Sequence, residues 1–263
     1  MRFVLNKMST ENTDVVQYTL GYSNSEIRLN DFLGRPIKLV WTGHIFCRKC
    51  SKNTKKSFGE GFCYTCFVSA PEASPCILHP ELCEAHLGKG RDLEYEERNH
   101  NQPHFVYLAA TDIVKVGVTR STQIPTRWID QGANKAIILA ETPNRYLAGL
   151  IEVALKSVFA DKTNWQNMLR NQCDDSIDLI EEKWRIEEIL PSDLVNLLTE
   201  NDEITELIYP VLNYPAKVTS LTFDKETEIT GILTGIRGQY LMFDNQFVIN
   251  IRRHTGYEIE WHA

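Results

Sequence analysis

The alternation of apolar and polar positions changes period several times along the chain. Near the front, VVQYTLGY (15–22) and PIKLVWTGHIF (36–46) are short runs rich in β-branched and aromatic residues. The turn residues of SNS and LGRP separate them, so both read as strands. From 104 the pattern becomes regular. HFVYLAA reads as a strand, Thr111-Asp112 as a turn and IVKVGVT as its hairpin partner. PTRWIDQ predicts a short helix, with Pro125 suited to the first turn and Gly132 to the stop. KAIILAET predicts a third strand. In NRYLAGLIEVALKSVF, the residues Leu147, Leu150, Ile151, Ala154, Leu155, Val158 and Phe159 recur at helical spacing and form one buried stripe.

Two acidic helices, broken at Pro191, are expected within 176–208. From 216 onward KVTSLTF, EITGILTGI, QYLMFD and FVINIRR read as strands with Gly or Asn turns between them. They predict a small all-β tail, with the N-terminal β segments as candidate partners. Residues 90–103 (GRDLEYEERNHNQP) are polar and read as a linker. The fold class is α+β. The expected segments are β strands over 1–43, a cysteine-rich metal module over 44–100, an α/β domain over 101–172, an acidic helical segment over 173–212 and a β domain over 213–263.

Composition narrows this picture. With 43% hydrophobic and 24% charged residues the chain is an ordinary globular protein, so disorder is not the default. No apolar run approaches the roughly 20 residues that span a bilayer, so no membrane partner is expected. The N-terminal MRFVLNKMSTENTD lacks the apolar core of a signal peptide, and a cytoplasmic location is the expectation. The net charge of −7 is uneven. Residues 1–130 carry 16 Lys and Arg against 14 Asp and Glu, whereas 131–263 carry 12 against 21. Within 171–206 there are 12 acidic residues and only 2 basic ones. The split argues against indiscriminate nucleic-acid binding by the whole surface, and any such binding is expected in the first 130 residues and in the cleft of the α/β domain.

Six of the seven cysteines fall between 47 and 83, which in a chain without an export signal favours metal over disulfides. Cys47-x2-Cys50 and Cys63-x2-Cys66 are two knuckles separated by 12 residues. Thiolates at i and i+3 in a tight turn reach one metal together. A hairpin with its tip near Lys55-Lys56, or at Phe58-Gly59-Glu60-Gly61, brings both pairs to one tetrahedral centre. Four thiolates with no open position is the structural zinc arrangement. Arg48, Lys49, Lys52, Lys55 and Lys56 would offset its excess negative charge and could also meet phosphates. Cys76, His79, Cys83 and His86 have the chemistry and spacing of a second zinc site. The alternative is two buried cysteines with both histidines solvated.

Within 105–160 four residues stand out: Tyr107 on the first strand, Gly117 on the second, Arg127 in the short helix and Glu152 at the edge of the long helix's apolar stripe. Their order resembles the GIY-YIG nuclease superfamily. Phe105-Val106-Tyr107 stands at the GIY position and Lys115-Val116-Gly117 at the YIG position, with Arg127 at the helix arginine and Glu152 at the metal-binding glutamate. The run VKVGVTR…IPTRWIDQGA, preceded by HPELCEAH and the cysteine-rich segment, is similar to an uncharacterised bacterial family, domain of unknown function 2797. The superfamily resemblance implies a small antiparallel sheet flanked by helices. It also implies Mg2+ or Mn2+ on Glu152, phosphate charge stabilised by Arg127, and water handled by Tyr107. Lys115 replaces the second tyrosine, which removes one acid–base group. Each residue also has a plainer reading: Tyr107 as a packed strand aromatic, Arg127 as a surface ion-pair partner, Glu152 as a solvated helix residue.

Two functions follow as expectations. One is a zinc-containing nucleic-acid-binding protein, DNA or RNA, with metal-dependent phosphodiester cleavage by Tyr107, Lys115, Arg127 and Glu152 as its catalytic form. The other is a non-catalytic zinc-containing adaptor for a protein or ribonucleoprotein partner, which the acidic helices would suit.

Overall fold

A computed structural model describes residues 1–21, 26–159, 164–174 and 176–263; the SNS turn lies outside the described residues. The front of the chain forms β1 (Arg2–Val4), β2 (Ser9–Glu11), β3 (Gln17–Leu20), β4 (Ile27–Arg28), β5 (Pro36–Ile45) and α1 (Tyr64–Ser69). The middle forms α2 (Leu93–Asn99), β6 (His104–Ala110), β7 (Val114–Arg120), α3 (Thr126–Gln131), β8 (Lys135–Thr142) and α4 (Arg145–Leu155). After it come α5 (Trp165–Leu169), α6 (Leu179–Glu187), α7 (Ser192–Val195) and β9 (Ile204–Glu206). The tail comprises β10 (Thr219–Leu221), β11 (Glu228–Arg237), β12 (Tyr240–Phe243), β13 (Phe247–Asn250) and β14 (Tyr257–His262). The fold is α+β.

Two compact units make up the chain. One joins Met1–Val68 with Ile129–Gly132 and Ile208–Ala263; the other joins Ser69–Trp128 with Ala133–Leu207.

The first unit is built on a seven-stranded sheet of order β1-β14-β5-β11-β12-β13-β10. The tail strands therefore do not form a separate sheet. β5 lies between β14 and β11, antiparallel to both, and β1 closes the edge against β14. Ile37 and Leu39 of β5 are buried and Lys38 between them is less so, the period-two pattern of a strand with one face on a core. A second sheet, β2-β3-β4, lies in the same unit.

The second unit holds the antiparallel sheet β7-β6-β8-β9. β6 is central, and six of its seven residues are buried. Val106 and Leu108 of β6 and Val118 of β7 point into one core with Ala148, Ile151 and Leu155 of α4 and Leu179 and Ile186 of α6. The stripe expected of α4 is thus the one buried. Its start is fixed by Asn144, whose side chain accepts from the N–H of Leu147 at 3.0 Å, a cap that stabilises by about 1 kcal/mol. Because strand side chains alternate, Tyr107, Lys115 and Gly117 point to the opposite face of this sheet.

The polar stretch 90–103, expected as a linker, contains α2. Asp92 caps it, accepting from the N–H of Tyr95 at 3.0 Å. Its buried residues are charged or polar rather than apolar, so hydrophobic periodicity does not reveal it. The two acidic helices form on either side of Pro191, as α6 and α7.

Candidate metal centres and basic groove

The first knuckle is a tight turn. The N–H of Ser51 donates to the Cys47 carbonyl at 2.8 Å, Ser51 has φ 59°, and an isolated antiparallel bridge pairs Phe46 with Asn53. The hairpin turns at the second of the two expected places. Phe58 and Phe62 form an antiparallel bridge, with Gly59, Glu60 and Gly61 all at positive φ. Cys63 then leads directly into α1, which carries Cys66.

These turns bring one sulfur from each of Cys47, Cys50, Cys63 and Cys66 within 4.8 Å of one another, with 3.9 Å between the sulfurs of Cys50 and Cys63. Two sulfurs on a tetrahedral zinc stand ~3.8 Å apart, given Zn–S bonds of about 2.3 Å. The donor set therefore fits a metal such as zinc. Protonation follows the same logic. Burial would raise the Cys47 thiol, but backbone hydrogen bonds at Cys63, Cys50 and Lys49 outweigh it and hold it at about 6. Desolvation and hydrogen bonds to Cys63, Cys50 and Cys47 push Cys66 up to about 12. Hydrogen bonding thus favours the thiolate at Cys47, and a dication at the centre would favour it further. The rest of the module is thin: Phe58 packs edge-on to Tyr64 and stacks on Phe67, yet Tyr64 is 65% exposed.

Beside this hairpin lies a cavity of about 710 Å³ lined by Lys55, Lys56, Asp224, Arg252, Arg253 and Tyr257, among others. Its basic residues come from opposite ends of the sequence. Arg252 pairs with Glu60 at 2.8 Å, and Asp224 accepts from the Tyr257 hydroxyl at 2.7 Å. Four cations against two carboxylates leave the groove positive. Counting charge by halves of the sequence missed this, because Arg252 and Arg253 lie in the acidic half.

The second cysteine pair is also brought together, but with other partners. Cys76, Cys83, Glu96 and His100 converge, their ligand atoms within 4.8 Å of one another and all four residues buried. His79 is exposed and pairs with Glu81 at 3.4 Å, while exposed His86 stacks on Tyr146 with ring centroids 4.5 Å apart. The spacing Cys76-x2-His79-x3-Cys83-x2-His86 does not gather its histidines because each sits in a proline-initiated or adjoining 3-10 turn that points it outward. Glu96 and His100, which the cysteine spacing did not point to, stand at i and i+4 in α2 and at its C-terminal cap, the spacing that puts two side chains on one helix face.

Of the four residues suggested by the nuclease resemblance, Tyr107 is completely buried, with its ring edge-on to Trp128 at 6.1 Å. Lys115 is 8% exposed. Arg127 and Glu152 are half-buried. Glu152 and Arg127 both act electrostatically on the Arg145 guanidinium, which burial and Arg127 pull down and Glu152 pushes up. Arg145 in turn donates to the Cys76 and Ile77 carbonyls at 2.9 and 3.0 Å. Arg145, Gly149 and Glu152 follow at helical spacing, and Gly149 faces the backbone of Pro80 and Glu81. Glu152 thus lies on the α4 face turned to the Cys76–Cys83 turns, whereas Tyr107 and Lys115 belong to the sheet face that α4 does not cover.

No helix among the described residues is long and apolar enough to cross a membrane. No curated protein and no solved structure matches this chain. A family model does, over residues 34–259, a span that takes in the four-cysteine hairpin, the Cys76–His100 cluster, the antiparallel sheet with α4 and most of the β tail: the chain belongs to the family described as protein of unknown function, DUF2797.

Proposed function

We propose that this chain binds nucleic acid through the basic groove beside the four-cysteine hairpin, with zinc on Cys47, Cys50, Cys63 and Cys66 holding that hairpin in place. The groove itself carries the reading. Lys55, Lys56 and Arg253 are exposed around it, and the half-buried Arg252 joins them. Cations so arranged meet phosphates, and the release of condensed counterions drives such binding. Tyr64, largely exposed on the same hairpin, offers an aromatic face on which a base can stack. Zinc supplies no chemistry here: its coordination is closed, and it contributes folding free energy to a module with few apolar contacts.

Phosphodiester cleavage is the finer form of this reading. It would place Mg2+ or Mn2+ on Glu152 and charge stabilisation on Arg127. The burial of Tyr107 and the separation of sheet faces favour binding over cleavage. A second reading, an adaptor for a protein or ribonucleoprotein partner, draws support from Leu78, Leu82, Leu87 and Leu93, which are 58 to 82% exposed around the cysteine turns and α2.

Fluorescence anisotropy with the zinc-loaded full chain and labelled single-stranded and duplex DNA and RNA tests the proposal. The double variant Lys56→Gln/Arg253→Gln should lose at least about tenfold in affinity. Equal affinity of variant and parent, or no binding to any of the four, would remove the groove from the account and leave the adaptor reading. Cleavage in Mg2+ that disappears in Glu152→Gln would establish the catalytic form.

A further inference from the structure

We propose that Cys76, Cys83, Glu96 and His100 hold a second zinc ion, through two thiolates, Nδ1 of His100 and one carboxylate oxygen of Glu96. This inference is independent of the nucleic-acid reading.

The geometry is that of a four-coordinate site. Nδ1 of His100 lies 3.8 Å from the Cys76 sulfur and also contacts Glu96 Oε2. Around a tetrahedral zinc a sulfur and a nitrogen stand ~3.5 Å apart, from bond lengths of about 2.3 and 2.0 Å. One imidazole nitrogen thus faces a thiol and a carboxylate together, and a cation between them would bond all three. The ligands come from three short elements. Cys76 is in the 3-10 turn Pro75–Ile77, Cys83 ends the turn Pro80–Leu82, and Glu96 and His100 share a face of α2. Prolines start both turns, which narrows the conformations open to them.

Burial sharpens the case. Cys76, Cys83, Glu96 and His100 are 7, 2, 4 and 2% exposed. Glu96 and His100 offset part of the cost of their burial by pairing with each other, and an ionised thiolate beside them is costly out of water unless a compensating charge lies among them. Zinc supplies that charge and accepts all four donors. Gly90 makes the enclosure possible. A Cβ on it would fall 2.2 Å from Cγ of Glu96, so only a bare Cα lets the chain close over the carboxylate.

Few apolar side chains gather around these four residues. The apolar cluster at this place consists of Cys76, Cys83 and Ala85, with Tyr146 packed against it. The leucines nearby, Leu78, Leu82, Leu87 and Leu93, are exposed. Consecutive 3-10 turns with so small a core are the situation in which metal binding supplies the folding free energy.

Metal analysis of the purified full chain decides this. Two zinc ions per chain are expected. Cys83→Ala and His100→Gln should each fall to one, and Cys63→Ser should also fall to one, by loss of the other ion. Because Cys83→Ala could simply unfold its turns, cobalt substitution of the unmutated chain gives a second readout. Thiolate-to-cobalt charge-transfer intensity should correspond to six sulfurs rather than four. One zinc per chain with four-sulfur intensity would overturn the proposal. So would a zinc content of two that both Cys83→Ala and His100→Gln leave unchanged.

Discussion

The hydroxyl of Tyr107 occupies the space in which a side chain on its cross-strand partner Gly117 would begin: a Cβ there would lie 2.5 Å from the oxygen. The glycine at the position resembling YIG is therefore a packing requirement of the tyrosine opposite it. Gly117→Ala should destabilise the second unit by about 1–3 kcal/mol, the usual cost of overpacking a buried site. Urea unfolding followed by circular dichroism checks this, and an unchanged midpoint would mean that the ring moves aside freely.

Gly149 of α4 meets a harder obstacle. A Cβ there would stand 2.2 Å from the Glu81 nitrogen and 2.4 Å from the Pro80 carbonyl carbon. Backbone yields less readily than a ring edge. Gly149→Ala should therefore cost more than Gly117→Ala in the same urea experiment, although alanine is the better helix former by about 1 kcal/mol. A gain in stability would show that α4 does not rest against this turn.

His104 gives the protein an acid-sensitive point. Burial is the main cause that holds its imidazole at about 4, and its Nε2 finds no hydrogen-bond partner among the described residues. The unfolded chain takes up a proton below about pH 6.5, and the folded chain does not. The contribution is fully present above pH 6.5 and is lost as pH falls from there to about 4. It amounts to about 3 kcal/mol, and His104→Gln should flatten the pH dependence by that much. Parallel slopes for parent and variant between pH 7 and 4.5 would contradict this; acid loss of any bound zinc would be common to both and cancel.

Zinc removal should be felt locally. Cys63→Ser, or a strong chelator, should release amide protection throughout 47–66 while leaving β6 and β8 protected, because the proposed zinc would supply much of that hairpin's folding free energy. Hydrogen exchange with mass spectrometry reads both regions in one experiment. Full protection of 47–66 in metal-free protein would refute the dependence.

Local signals in the sequence carried far. Short apolar runs bounded by turns place β5, β6, β7 and β8, and period-3.6 spacing places α4, within a residue or a few of where they form. The paired knuckles of Cys47 and Cys63 are equally local, being fixed by two turns and one hairpin. What sequence spacing hides is pairing at a distance. β5 lies between β11 and β14, roughly 200 residues further on, and nothing in its own residues names those partners. The same holds for the groove, where Lys56 and Arg253 line one cavity, and for the second cluster, where His79 is nearer in sequence to Cys76 but His100 is nearer in space. α2 was hidden for a different reason: its inward face is made of a glutamate and a histidine, and polar residues facing inward do not register as periodicity.

The most direct test of the central claim, that phosphates are held in the groove of Lys55, Lys56, Arg252 and Arg253, is the salt dependence of nucleic-acid affinity. For the zinc-loaded chain, log K should fall linearly with log salt concentration, with a slope of roughly −2 to −4 if two to four phosphates are contacted. Lys56→Gln/Arg253→Gln should make that slope shallower by up to about 2. A slope near zero, or the same slope in parent and variant, would contradict the account.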